Sequence, residues 1–162
     1  MTKHLHIYKY ISLFTGFLVM ISIMLPILRY DETAYLGYEV IAGTEILTIN
    51  PFNLGIVARA WLPFSWLAMI AFILPFISGL FVLLDKKYVL IGIILSVISL
   101  FLMILLPDQV DILYSIGNSN YSQSVNWEMG FGLIIAILYV FIGLLSQFYV
   151  FTVYDILKLK ST

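Results

Sequence analysis

Four stretches of the chain carry no Asp, Glu, Lys, Arg or His: Tyr10–Leu28, Ala60–Leu84, Tyr88–Leu106 and Met129–Tyr154. A helix needs roughly 20 apolar residues to cross a hydrocarbon core of about 30 Å, and each stretch reaches that length. Backbone amides cannot stay unpaired in lipid, so a spanning segment is either a helix or a strand of a closed barrel. Barrel strands alternate polar and apolar residues over about ten positions, whereas these runs are apolar throughout. Four membrane helices are therefore expected, at about 10–28, 60–84, 88–106 and 129–154. With 62% hydrophobic and 10% charged residues, the chain has too little polar surface to cover four such helices in water. It reads as one integral membrane domain, 1–162, of the all-α membrane class.

Lysine and arginine give the orientation, because cytoplasmic loops carry the excess of both. With both termini inside, the inner side holds Lys3, Lys9, Lys86, Lys87, Lys158 and Lys160, and the outer side holds Arg29 and Arg59. The acids run the other way: Asp31, Glu32, Glu39, Glu45, Asp108, Asp111 and Glu128 lie outside, Asp85 and Asp155 inside. A net charge of −1 thus conceals a polarised molecule, expected in the cytoplasmic membrane. There is no cysteine, which removes disulfides and thiolate metal sites. The first run is longer than the h-region of a signal peptide and meets Arg29-Tyr-Asp-Glu32 without a small-x-small cleavage site. It reads as an uncleaved anchor.

The outer loops, 29–59 and 107–128, have too much pattern for passive connectors. Tyr35–Ile41 and Thr44–Ile49 are rich in aromatic and β-branched residues, and Ala42-Gly43 between them suits a two-residue hairpin turn. Asn50-Pro51 stops the second strand, and Phe52, Leu54, Ile56, Val57 and Trp61 read as a short interfacial segment leading to helix two. In the second loop, Gly117–Asn120 marks a turn, after which Tyr121, Gln123, Val125 and Trp127 alternate with polar residues as a strand that can join the hairpin. Asn120-Tyr-Ser122 is a formal glycosylation sequon. A small extracytoplasmic β element built from both loops is expected.

Within the spans, Ser12/Gly16 and Gly92/Ser96 have the small-xxx-small spacing that lets helices approach closely, and read as packing seams. Pro63 suits the first turn of helix two behind the interfacial tryptophans. Pro75 sits in mid-span, where it removes a backbone donor and kinks the helix, as a packing bend or as a gate. Gln147 is the one strongly polar side chain in the four runs, and an interhelical hydrogen bond is its expected role. His4 and His6 lie two apart, on opposite sides of a helix and without a third ligand nearby, so neither a metal nor any other cofactor is expected.

Four helices with both termini inside, a long first outer loop of strand character and a shorter second one resemble the claudin-like arrangement over the whole chain. The Gly-Leu-Trp triplet and cysteine pair that carry that family's function are absent from the first loop. Gly37-Tyr-Glu-Val-Ile-Ala-Gly43 resembles a segment of small bacterial four-span proteins of uncharacterised function.

Chemistry needs a nucleophile, an acid–base pair or a metal set within reach. Arg29 or Arg59 holding a lipid phosphate, with Asp108, Asp111 or Glu128 as base, is the strongest arrangement for a lipid-handling enzyme, but solvated loop charges and headgroup anchors describe the same residues. Transporters place carboxylates or broken helices at mid-membrane, and no such carboxylate stands here. The expectation is a non-catalytic accessory protein, with no catalytic residues and no nucleic-acid partner. It sits in the lipid bilayer and binds a larger membrane or envelope protein through Tyr38, Glu39, Glu45, Arg59 and Trp127. The alternative is a small subunit of a transporter, or of a homo-oligomeric channel.

Overall fold

The computed structural model describes residues 2–49, 58–84, 86–116 and 119–159. Among them, α1 (Thr2–Ile21), α3 (Trp66–Leu83), α4 (Lys86–Gln109) and α5 (Phe131–Leu159) contain the four helical segments long and apolar enough to cross a membrane, and α2 (Gly37–Ala42) is a short turn of helix. Between them lie seven strands: β1 (Pro26–Tyr30), β2 (Thr33–Leu36), β3 (Thr44–Ile49), β4 (Ala58–Leu62), β5 (Asp111–Ile116), β6 (Ser119–Ser124) and β7 (Glu128–Met129).

The long helices form a ring in which α1 packs between α3 and α5, and α4 closes the circle opposite α1. Only 33% of the first apolar window and 39% of each of the others is buried within the chain. The uncovered part carries Phe14, Phe17, Leu80, Phe101, Leu138 and Phe141, a surface suited to lipid rather than water. This is a multi-pass membrane bundle.

Small residues and hydroxyls make the inner contacts. A Cβ on Gly16 would come within 2.5 Å of the Pro75 carbonyl oxygen, and one on Gly79 within 2.7 Å of the Leu13 backbone, so α1 and α3 touch main chain to main chain. Pro75 has no N–H, which leaves the Ala71 carbonyl without its helical donor. Ser99 of α4 donates its hydroxyl to that carbonyl at 2.6 Å. The freed acceptor is thereby consumed in packing.

Gln147 gathers all four long helices. Its Nε2 lies 2.9 Å from Ser12 Oγ of α1, 2.7 Å from Ser78 Oγ of α3 and 3.0 Å from Ser96 Oγ of α4. Ser96 in turn donates to Gln147 Oε1 at 3.3 Å, and Ser78 to the Gly92 carbonyl at 2.9 Å. All four side chains are buried. At one end of the bundle Lys9 is buried too, its ammonium donating to the Leu84 carbonyl at 3.1 Å, where the negative end of α3 favours a cation.

The strands form two sheets, each combining both loops: β2-β1-β7 and β3-β4-β5-β6, antiparallel throughout. The predicted hairpin of Tyr35–Ile41 with Thr44–Ile49 is not formed. Gly37–Ala42 is helical because Glu39 accepts the Leu36 N–H at 2.8 Å, closing one half of a capping box, and because Gly37 and Val40, three apart, are both buried. A side chain at residue 37 would meet the Ile23 carbonyl oxygen at 2.6 Å, so glycine lets this turn sit against the 3-10 turn Ser22–Met24 that follows α1. Thr44–Ile49 pairs instead with Ala58–Leu62.

The helix ends shift for a related reason. Pro26–Leu28, placed at the end of the first span, is strand, and so is Ala60–Leu62, placed at the start of the second. Helix α3 begins only at Trp66, where Ser65 Oγ accepts the Ala68 N–H, so Pro63 precedes the helix instead of occupying its first turn. Ile27, Leu28 and Leu62 are as apolar as a span because they are buried in the core beneath the sheets. Helix α4 runs on to Gln109. The Asn50-Pro51 stop, the 52–57 segment and the Gly117-Asn118 turn lie outside the described residues.

Candidate interaction face

Strands β4 and β5 lie at the centre of the larger sheet, and their register sorts its side chains onto two faces. Ala60, Leu62 and Ile112 turn into the core. Arg59 and Trp61, alternating with them, fall on the opposite face, together with Ser115 across from Arg59 and Leu113 across from Trp61.

On β3 a bulge decides the outcome. Glu45 pairs with Trp61 and Leu47 with Ala60, so Ile46 is the extra residue. Glu45 and Thr48, three apart, would otherwise lie on opposite faces. The bulge returns both to the face of Arg59 and Trp61, where the Thr48 hydroxyl donates to the Glu45 carboxylate. Among the described residues no hydrogen bond or ion pair engages the Arg59 guanidinium. Glu45, Arg59, Trp61 and Ser115 together line a depression of about 330 Å³.

A second depression of about 440 Å³ shares Glu45 and Trp61 with the first and continues past Ala42–Thr44 to Leu62, Pro63 and Phe64. Phe64 packs edge-on against Trp66 in the first turn of α3, with ring centres 4.7 Å apart. The two depressions therefore adjoin at Glu45 and Trp61, and together they line a path from the polar sheet face to the head of a membrane span.

The five residues singled out from the sequence disperse. Glu45 and Arg59 meet in the first depression. Tyr38 is exposed on α2, away from them, and Glu39 is occupied in capping that helix. Trp127, selected as an exposed contact, is buried: its Nε1 donates to the Val110 carbonyl at 2.6 Å, and Tyr30 and Tyr35 pack edge-on against its ring. It is a keystone between the two sheets. Beside it, burial together with the neighbouring Glu39 and Tyr114 raises the Tyr35 hydroxyl above its ordinary pKa.

Arg29 and Arg59 stand on different sheets. Arg29 is opposite Glu128 and donates to the Asp31 carbonyl at 3.1 Å, while Asp111 accepts from Ser122 at 3.2 Å. Among the described residues no three His, Cys, Asp or Glu side chains converge as a metal set would. Thr48 and Ser115 were not singled out from the sequence, and Trp61 was expected only as an interfacial residue at the entry to helix two. The i, i+2 spacing of Arg59 and Trp61 was the signal for its place here, once Ala58–Leu62 is taken as strand.

On the other face of the same sheet Leu47, Ile116 and Tyr121 are more than half exposed, at 52%, 56% and 57%, beside the exposed polar side chains of Ser119 and Gln123. Comparison with known proteins gives no match to this chain, whether among family models, curated proteins or solved structures.

Proposed function

We propose that this chain is a non-catalytic accessory protein of the cytoplasmic membrane, claudin-like in arrangement, with both termini cytoplasmic and its two sheets forming an extracytoplasmic docking platform. The observation that carries this reading is the set of large apolar side chains, Leu47, Ile116 and Tyr121, left exposed on one face of the larger sheet. Exposed apolar patches rimmed by polar residues mark places where proteins meet. The partner is a larger membrane or envelope protein. Lysine and arginine support the sidedness, with six cations at the ends and connection assigned to the cytoplasm against Arg29 and Arg59 on the platform.

The absence of cysteine makes the test site-specific. Ser119→Cys lies opposite Ile116 at the tip of the platform. It is labelled on intact cells with a membrane-impermeant thiol reagent carrying a photocrosslinker, and the protein is recovered on a carboxy-terminal tag for mass spectrometry. One stoichiometric protein partner is expected, and it should be lost when Leu47 and Tyr121 are both changed to Asp. Labelling that requires permeabilised cells overturns the sidedness, and capture of nothing but lipid or a second copy overturns the partner reading.

A further inference from the structure

The two adjoining depressions hold a combination that the docking reading does not use. At the upper end stand a guanidinium with no protein partner among the described residues, an indole and a hydroxyl, with a carboxylate on the common wall. At the lower end stand Pro63 and Phe64. Phe64 and Trp66 are 44% and 67% exposed, and Ile70, one turn along α3 from Trp66, continues the same exposed side of the helix. Tryptophan at the head of an apolar span marks the headgroup level of a bilayer. A ligand filling the whole groove is therefore polar at one end and continuous with the membrane at the other.

We infer that the groove binds a single phospholipid with an amino headgroup, its phosphodiester on Arg59, its ammonium between Glu45 and Trp61, and its acyl chains descending past Phe64 and Trp66. A guanidinium offers a fork of N–H donors matched to phosphate oxygens. Indole faces attract cations within about 6 Å, and Glu45, steadied by Thr48, supplies the opposite charge. The two depressions, about 330 and 440 Å³, each fall in the lower part of the ~300–1,000 Å³ range of small-molecule sites. The occupant is a lipid and not a soluble amino-phosphate because the groove opens onto the first turn of a membrane span. This inference needs only that α3 crosses the bilayer; it depends neither on the protein partner nor on the side of the membrane.

The test uses the full chain in nanodiscs of equal phosphatidylethanolamine and phosphatidylglycerol, with retained lipid counted by native mass spectrometry. One retained phosphatidylethanolamine per chain is expected. Arg59→Gln and Glu45→Gln should each weaken retention about tenfold or more, the loss that follows from removing one charged hydrogen-bond partner. Asp111→Asn, on the same sheet but not lining either depression, should change nothing. In the unaltered protein, a photoactivatable phosphatidylethanolamine should crosslink to residues 43–45 and 61–64, a result that does not depend on how any variant folds. Equal retention of phosphatidylglycerol, displacement by millimolar O-phosphoethanolamine, unaltered retention in both groove variants, or crosslinks only along the helices would each overturn the inference.

Discussion

Replacing Gln147 with Leu keeps most of the side-chain volume and deletes the amide that joins the four long helices. The Nε2 group has two hydrogens for three serine oxygens at 2.7–3.0 Å, so two of those bonds form at once, and Oε1 accepts a third from Ser96. Interhelical hydrogen bonds in membranes average about 0.6 kcal/mol, because the unfolded chain in lipid also finds partners. Losing three costs about 2 kcal/mol, roughly a 25-fold change in the folding equilibrium. The loss stays that small because Ser78 keeps the Gly92 carbonyl, and Ser78 and Ser96 remain 2.6 Å apart, so those hydroxyls are not stranded. Reversible unfolding in mixed detergent micelles, followed by tryptophan fluorescence, measures the difference. A double-mutant cycle with Ser78→Ala isolates one arm and should show coupling of about 0.5–1 kcal/mol. Gln147→Leu unfolding at the wild-type midpoint, or effects in the cycle that simply add, would refute the assignment of these bonds as the element that joins the helices.

Two further predictions concern the platform. Trp127→Phe keeps an aromatic ring but strands the Val110 carbonyl, at a cost of about 1–3 kcal/mol. For a chain of this length that lowers the melting temperature by several degrees, and an unchanged melting curve would return Trp127 to the surface role expected from the sequence. Tyr35 tests the buried aromatic cluster by pH. Its folded pKa is raised by burial first and by Glu39 and Tyr114 second, so the folded state holds the proton more tightly than the unfolded chain. Stability is then unaffected below the ordinary tyrosine value of about 10 and falls as pH rises above it, because the unfolded chain ionises first. Tyr35→Phe should flatten that alkaline limb, and an identical slope in both proteins would show that Tyr35 is not its source.

The bundle was legible from the sequence because lipid imposes a length and a composition that few other environments require. Gln147 was legible for the same reason: one amide among four apolar runs has little to bond except its neighbours. Helix ends were not legible, since Ile27, Leu28 and Leu62 are buried beneath the sheets and hydropathy cannot separate lipid from protein interior. The fate of Gly37–Ala42 turned on a carboxylate reaching back to Leu36 N–H and on contact with Ile23, a residue some fourteen positions away. Tyr, Val and Ile in that stretch favour strand, and tertiary context overrode them. Trp127 misled because its alternation with polar neighbours is real, yet strand β6 stops at Ser124 and both of its faces are exposed.

The placement of polarity bears on how such a protein works. In the described parts of the spans, Thr15, Ser22 and Ser146 return their hydroxyls to carbonyls of their own helices, and Ser99 serves the carbonyl freed by Pro75. Ser12, Ser78 and Ser96 meet Gln147, so no buried polar side-chain atom among the described residues lacks a partner. An interior whose hydrogen-bonding capacity is spent on holding helices together favours one arrangement, because any sliding breaks several bonds at once. The Arg59 guanidinium, with no partner among the described residues, lies in the groove instead, where the Ile46 bulge brings Glu45 round to its face of the sheet. Bulges commonly re-aim side chains near binding sites. A bonded base beside a groove whose guanidinium has no partner among the described residues is the division expected of a protein that holds something still, and it is the reason to test Arg59 before any residue in the spans.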